Sequence, residues 1–92
     1  MIKSFAHKGL EEFYLTRSTR GIQAKHSAKL ALVLDLLNHV NEPIYMNFAG
    51  SGLHRLQGDM RGHWAVRISG NWRLTFRFED GNAYVVDYQD YH

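Results

Sequence analysis

The chain has 92 residues, 45% hydrophobic and 22% charged, which suits one globular domain over 1–92 and excludes a disordered or fibrous class. A net charge of +2 and a pI near 9.1 make it mildly basic, and the absence of cysteine excludes disulfides and thiolate metal sites. The start, MIKSFAHKGL, lacks the apolar run of a secretory signal and no segment reaches the ~20 apolar residues of a membrane helix, so a cytoplasmic, membrane-free protein is expected.

IKSF is short and alternating, and reads as a first strand. HKGLEEFYLTR places Leu10, Phe13 and Tyr14 at helical spacing, which predicts a helix over about Lys8 to Thr16. STRGI interrupts it. In AKHSAKLALVLDLLNHV, Leu30, Val33, Leu34, Leu37 and Val40 form an i, i+3, i+4, i+7 stripe, the mark of a long amphipathic helix. Pro43 closes that helix, because the residue before a proline disfavours helical geometry. Residues 44–52 read as loop, with the stretch Met46–Phe48 as core or interface. His26 and His39, on the long helix, read as surface polar residues.

After Leu53 the period becomes two. Trp64, Val66 and Ile68 share one parity, as do Trp72, Leu74, Phe76 and Phe78, and then Tyr84, Val86 and Tyr88. These are three half-buried strands joined by hairpin turns at SGN and EDGN. The expected fold class is α+β: two N-terminal helices packed on one face of a mostly antiparallel, twisted sheet. Keeping the apolar parity on the helical face predicts three-residue turns centred on Gly70 and Gly81. Ile68 then stands opposite Trp72, Arg67 opposite Arg73, Phe76 opposite Val86 and Thr75 opposite Asp87. The same ladder sets Gln89 beside Arg73 and Tyr91 beside Asn71. The short run GLHRLQG does not reveal which face His54 takes, since Leu53 and Leu56 differ in parity.

Like charges facing each other destabilise a sheet, so an Arg67–Arg73 pair on the open face suggests an anion site. His63 and Arg77 flank it. The bland alternative pairs each arginine with Asp87 or Asp90. The segment DYQDYH adds a carboxylate, a phenol and an imidazole at Asp90, Tyr91 and His92. Such groups suit metal-free cleavage of RNA: a base takes the ribose 2′-hydroxyl proton, an acid protonates the leaving 5′-oxygen, and cations hold the charge on phosphorus. The alternative for His92 is a solvated chain end. The six histidines lack H-x-x-x-H or H-E-x-x-H spacing, so neither metal nor cofactor is expected.

The run GLHRLQGDMRGHWAVRISGNWRLTFRFEDGNAYVVDYQDYH, with MIKSF-x-HKGL and GIQ-x-KH before it, resembles the HigB branch of the RelE-like toxins over essentially the whole chain. The resemblance implies a toxin of a bacterial toxin–antitoxin module: a ribosome-dependent endoribonuclease that cuts mRNA in the decoding (A) site of the small subunit. It implies His54, Arg73, Asp90, Tyr91 and His92 as catalytic residues, with Arg67 supporting the phosphate clamp and Arg55, Gln57, His63 and Arg77 near the RNA. The implied partners are the ribosome, mRNA and a helix-turn-helix, HigA-like antitoxin. The toxin itself would be monomeric, inside a heterocomplex that binds operator DNA. The chain departs from the branch's usual LHPLKGD at Arg55 and Gln57, and at Ala6 and Ala24, where the branch often carries a basic residue and a proline. Two other functions compete: a non-catalytic RNA-binding module of this fold, and a structural partner of the antitoxin. Lys3, Lys8, Arg17, Arg20, Lys25 and Lys29 form the basic surface expected to face ribosomal RNA.

Overall fold

The computed structural model describes residues 1–91. Helix α1 spans Lys8–Thr16. The His7 ring starts it by accepting the Leu10 N–H at its Nδ1, 3.0 Å away. Arg17 ends it in the left-handed region, returning its N–H to the Phe13 carbonyl. Where the chain leaves α1 it passes very near Gly9: a Cβ there would sit 2.4 Å from the Gly21 carbonyl oxygen, so only glycine permits the approach. A 3₁₀ turn over Ala24–His26 leads into α2, Ser27–His39. The loop predicted over 44–52 is partly ordered by a second 3₁₀ turn, Pro43–Met46, which seats Met46 fully in the core.

Four strands follow: β1 His54–Arg55, β2 His63–Ser69, β3 Trp72–Glu79 and β4 Asn82–Asp90. They form one antiparallel sheet in sequence order. Leu10 and Phe13 of α1 and Leu30, Val33, Leu34 and Leu37 of α2 pack with Val66, Leu74, Phe76 and Val86 in one apolar cluster. This is the stripe and parity read from the sequence, except at Tyr84, which pairs with Arg77 on the other face while Ala83 enters the core in its place.

IKSF is not a regular strand. Ile2 and Phe5 make isolated parallel bridges to Ala83 and Val86, on the outer edge of β4. A bulge explains the break. Val85 sits at φ 47° and turns its N–H to the Ser4 hydroxyl, 2.8 Å away, instead of to a strand neighbour.

The bulges also correct the turns. Both hairpins close in two residues. Ser69 pairs with Trp72, and Glu79 with Asn82. Asp80 and Gly81, at φ 52° and 79°, have the positive angles that tight primed turns require. The odd residue that keeps parity lies within the strands, so Ser69 and not Ile68 faces Trp72, and the register shifts between Thr75 and Arg77 where a Phe76–Val86 pair was expected. Beyond each bulge the expected register holds: Arg67 faces Arg73, Thr75 faces Asp87 and Arg73 faces Gln89. The Tyr91 N–H donates to the Asn71 carbonyl at 2.8 Å. No described helix is long and apolar enough to cross a membrane.

Candidate active site

The sheet face turned away from the helices carries three cross-strand rows. One runs Arg67–Arg73–Gln89, the next His54–Ala65–Thr75–Asp87, and the third joins His63, Arg77 and Tyr84. The middle of this face is closed to solvent, since Ala65 and Thr75 are fully buried. The charged groups therefore gather around a sealed centre.

The arginines are held differently. Arg77 follows the bland expectation of an acid partner, but the acid is Glu79, 3.4 Å away. Asp87 takes no arginine: one oxygen accepts the Tyr88 N–H and the other the Gln89 side-chain amide, both at 2.8 Å. Arg73 bends over the β2–β3 turn, donating to the Gly70 carbonyl at 2.7 Å, with its guanidinium carbon 5.9 Å from the centre of the Tyr91 ring. Among the described residues, neither Arg67 nor Arg73 forms an ion pair with a carboxylate. Two facing cations can take an anion with planar, paired oxygens.

The position of His54, open in the sequence, is settled by its pairing with Ala65, which puts it on the arginine face. Its Nδ1 lies 2.9 Å from the Gly52 carbonyl. A carbonyl only accepts, so Nδ1 carries the proton and Nε2 of the neutral ring keeps a lone pair. His63 is on the same face, and its Nδ1 is buried without a hydrogen-bond partner among the described residues.

Not every candidate shares this face. Arg55 pairs with Trp64 and stands on the helical side, its guanidinium 4.9 Å over the indole ring. Gln57 lines a hollow with Arg55 and Trp64. Asp90 pairs with Trp72, so by register it belongs to the helical-face row, at the exposed end of β4. Tyr91 is half-buried beside Arg73. His92 lies outside the described residues.

His26 contradicts the surface reading made from the sequence. It is 3% exposed, and its Nδ1 meets the Tyr88 hydroxyl at 2.5 Å. Trp72 stacks on Tyr88 with centroids 4.5 Å apart, and His7 meets Tyr88 edge-on at 5.5 Å. Burial, with Lys25 adding its charge, holds the His26 imidazole below its ordinary value. Burial pushes the Tyr88 phenol up; a hydrogen bond from the Gln23 backbone opposes this and Asp90 adds to it. The hydroxyl and the His26 Nδ1 share one proton across this short bond. This cluster anchors the end of β4, two residues before Asp90. No local pattern announces it, because its partners are 62 positions apart in the chain. Among the described residues, no three His, Cys, Asp or Glu side chains converge as a metal donor set.

Two helices on one face of an antiparallel sheet, with a cationic opposite face, define an α+β fold. The fold is shared with a histidine-to-glutamine mutant of YafQ from E. coli, at a TM-score of 0.61 and 16% identity over 98% of this chain and 93% of that one. Residues 3–92 match the HigB-like toxin family, described as the RelE-like toxin of the type II toxin–antitoxin system HigB. The chain is also 38% identical to the Endoribonuclease HigB of Proteus vulgaris over 100% of both chains. It belongs to the HigB-like toxin family, and that membership implies an antitoxin partner.

Proposed function

We propose that this protein is an endoribonuclease that cuts mRNA in the decoding site of the ribosome by metal-independent attack of the ribose 2′-hydroxyl. The endonuclease activity rests on its full-length similarity to a protein of that name. The observation that carries the mechanism is the Arg67–Arg73 pair on the face bearing His54 and Tyr91.

Nε2 of His54 accepts the 2′-hydroxyl proton. The 2′-oxygen forms its bond to phosphorus as the bond to the 5′-oxygen breaks, leaving a 2′,3′-cyclic phosphate and a 5′-hydroxyl. Arg73, with Arg67 behind it, holds the charge that grows on the phosphoryl oxygens, where fixed donors act most strongly. His92 returns a proton to the 5′-oxygen, and Tyr91 positions the substrate beside Arg73. The basic surface around Arg17 and Lys29 meets ribosomal RNA. In the cytoplasm, a helix-turn-helix antitoxin holds the toxin in a complex that binds operator DNA.

The test is a translating extract supplied with the purified protein and a defined message, with mRNA ends mapped. New ends at the position of the A-site codon, dependent on active ribosomes and lost with Arg73→Ala, are expected. Ribosome binding without new ends would leave a non-catalytic RNA-binding module. No effect on translation would leave the structural partner.

A further inference from the structure

The edge strand β1 carries a second cationic feature. His54 and Arg55 are consecutive, so their side chains take opposite faces of the sheet. His54 joins the arginine face, while Arg55 joins the row of Trp64 and Phe76. Trp64 packs against the core with its ring half-buried. It gives the Arg55 guanidinium a firm support 4.9 Å beneath it, and Arg55 itself is exposed. An indole ring holding a guanidinium in this way leaves the outer guanidinium face as a stacking platform.

Beside that platform lies a cleft of about 440 Å³ lined by Arg55, Leu56, Gln57, Arg61, Gly62 and Trp64. Gly58 and Gly62, at φ 67° and 93°, bend the loop around it, and a Cβ at either would meet nothing within 4 Å. Among the described residues, neither Arg55 nor Arg61 is in an ion pair, although Asp59 is in the same loop. The cleft thus offers a flat cation, a second cation and an amide that both donates and accepts.

We infer that this cleft binds one nucleotide of the single-stranded RNA substrate, flanking the scissile bond, with its base on Arg55, its phosphate on Arg61 and its base edge at Gln57. The volume falls in the ~300–1,000 Å³ range typical of small-molecule sites. Because β1 is the sheet's edge, an RNA strand leaving His54 rounds that edge to reach Arg55 without crossing the protein. The inference rests on the reading of the protein as an RNA-cutting enzyme, and supplies it with a substrate subsite on the opposite face.

The experiment titrates the full chain with a short unstructured RNA by fluorescence anisotropy, across a salt series. Arg55→Ala and Arg55→Lys should both weaken binding about tenfold, since lysine keeps the charge but not the stacking plane. Arg61→Ala should weaken it and lower the salt slope by about 0.7, the value for one phosphate of a single strand, while Arg61→Lys should restore it. Arg55→Lys guards against a fold lost by uncovering Trp64, and thermal unfolding checks each variant. An Arg55→Lys that binds like the parent overturns the stack. Arg55 and Arg61 variants that bind the oligonucleotide normally but lose mRNA-free ribosomes overturn the assignment in favour of ribosomal RNA. The titration needs no cleavage, so RNA binding lost through the cleft in a protein that cuts nothing would refute the enzyme reading and leave the cleft standing.

Discussion

Tyr88→Phe removes one buried hydroxyl, and with it the bonds to His26 and the Gln23 backbone. The phenylalanine ring keeps the stack on Trp72 and the edge contact with His7, so the packing survives. The hydroxyl is lost, and with it the partner of His26 Nδ1 on a side chain 3% exposed. A buried polar atom left unpaired costs about 1–3 kcal/mol. For a chain of this size each kcal/mol lowers Tm by about 4–8 °C, so thermal unfolding followed by circular dichroism should show a fall of about 5–20 °C. The same buried pair makes the fold acid-sensitive. His26 has an ordinary pKa of 6.5, and burial holds it lower in the folded chain. As pH falls, the unfolded chain takes up the proton first. The stability is complete above about 6.5 and is lost as pH drops from there through the folded value. The parent's Tm should decline on acidification in that window, and His26→Gln should flatten the decline. A Tyr88→Phe protein melting within a degree or two of the parent at neutral pH would refute the buried bond.

Arg73→Ala should reduce single-turnover cleavage on ribosomes by about 10²–10³-fold. It should leave ribosome affinity and Tm nearly unchanged, because its bond to Gly70 lies at an exposed turn. Arg17→Ala or Lys29→Ala should do the reverse, weakening salt-dependent binding with little effect on the cleavage step; equal binding losses from Arg73 and Arg17 would merge two surfaces into one. His54→Ala should cost about 10²–10⁴-fold in cleavage rate with the fold intact, and an active variant in the same assay would remove it as base. Gly9→Ala should lower Tm by forcing a Cβ against the Gly21 carbonyl, at a cost of about 1–3 kcal/mol; a neutral result would mean that the loop after α1 yields freely.

What the sequence determined alone is what short-range physics encodes. The bounds of α1 followed from the spacing of Leu10 and Phe13, and the strands from period two, because a buried face repeats its apolar residues at the period of its own backbone. Parity alone set Arg67 against Arg73 and Thr75 against Asp87, since a shift of one residue would have turned the core outward. Parity could not say where the odd residue sat, because a longer turn and a bulge conserve it equally; the structure chose bulges, one of them satisfied by Ser4, 81 positions from Val85. His54 and Arg55 form a strand too short to show a period, so their faces emerged only from pairing with β2. His26 looked like a surface residue among Lys25 and Ser27. Only the tertiary fold, which sets Tyr88 against it, supplies the hydrogen bond that lets an imidazole be buried there.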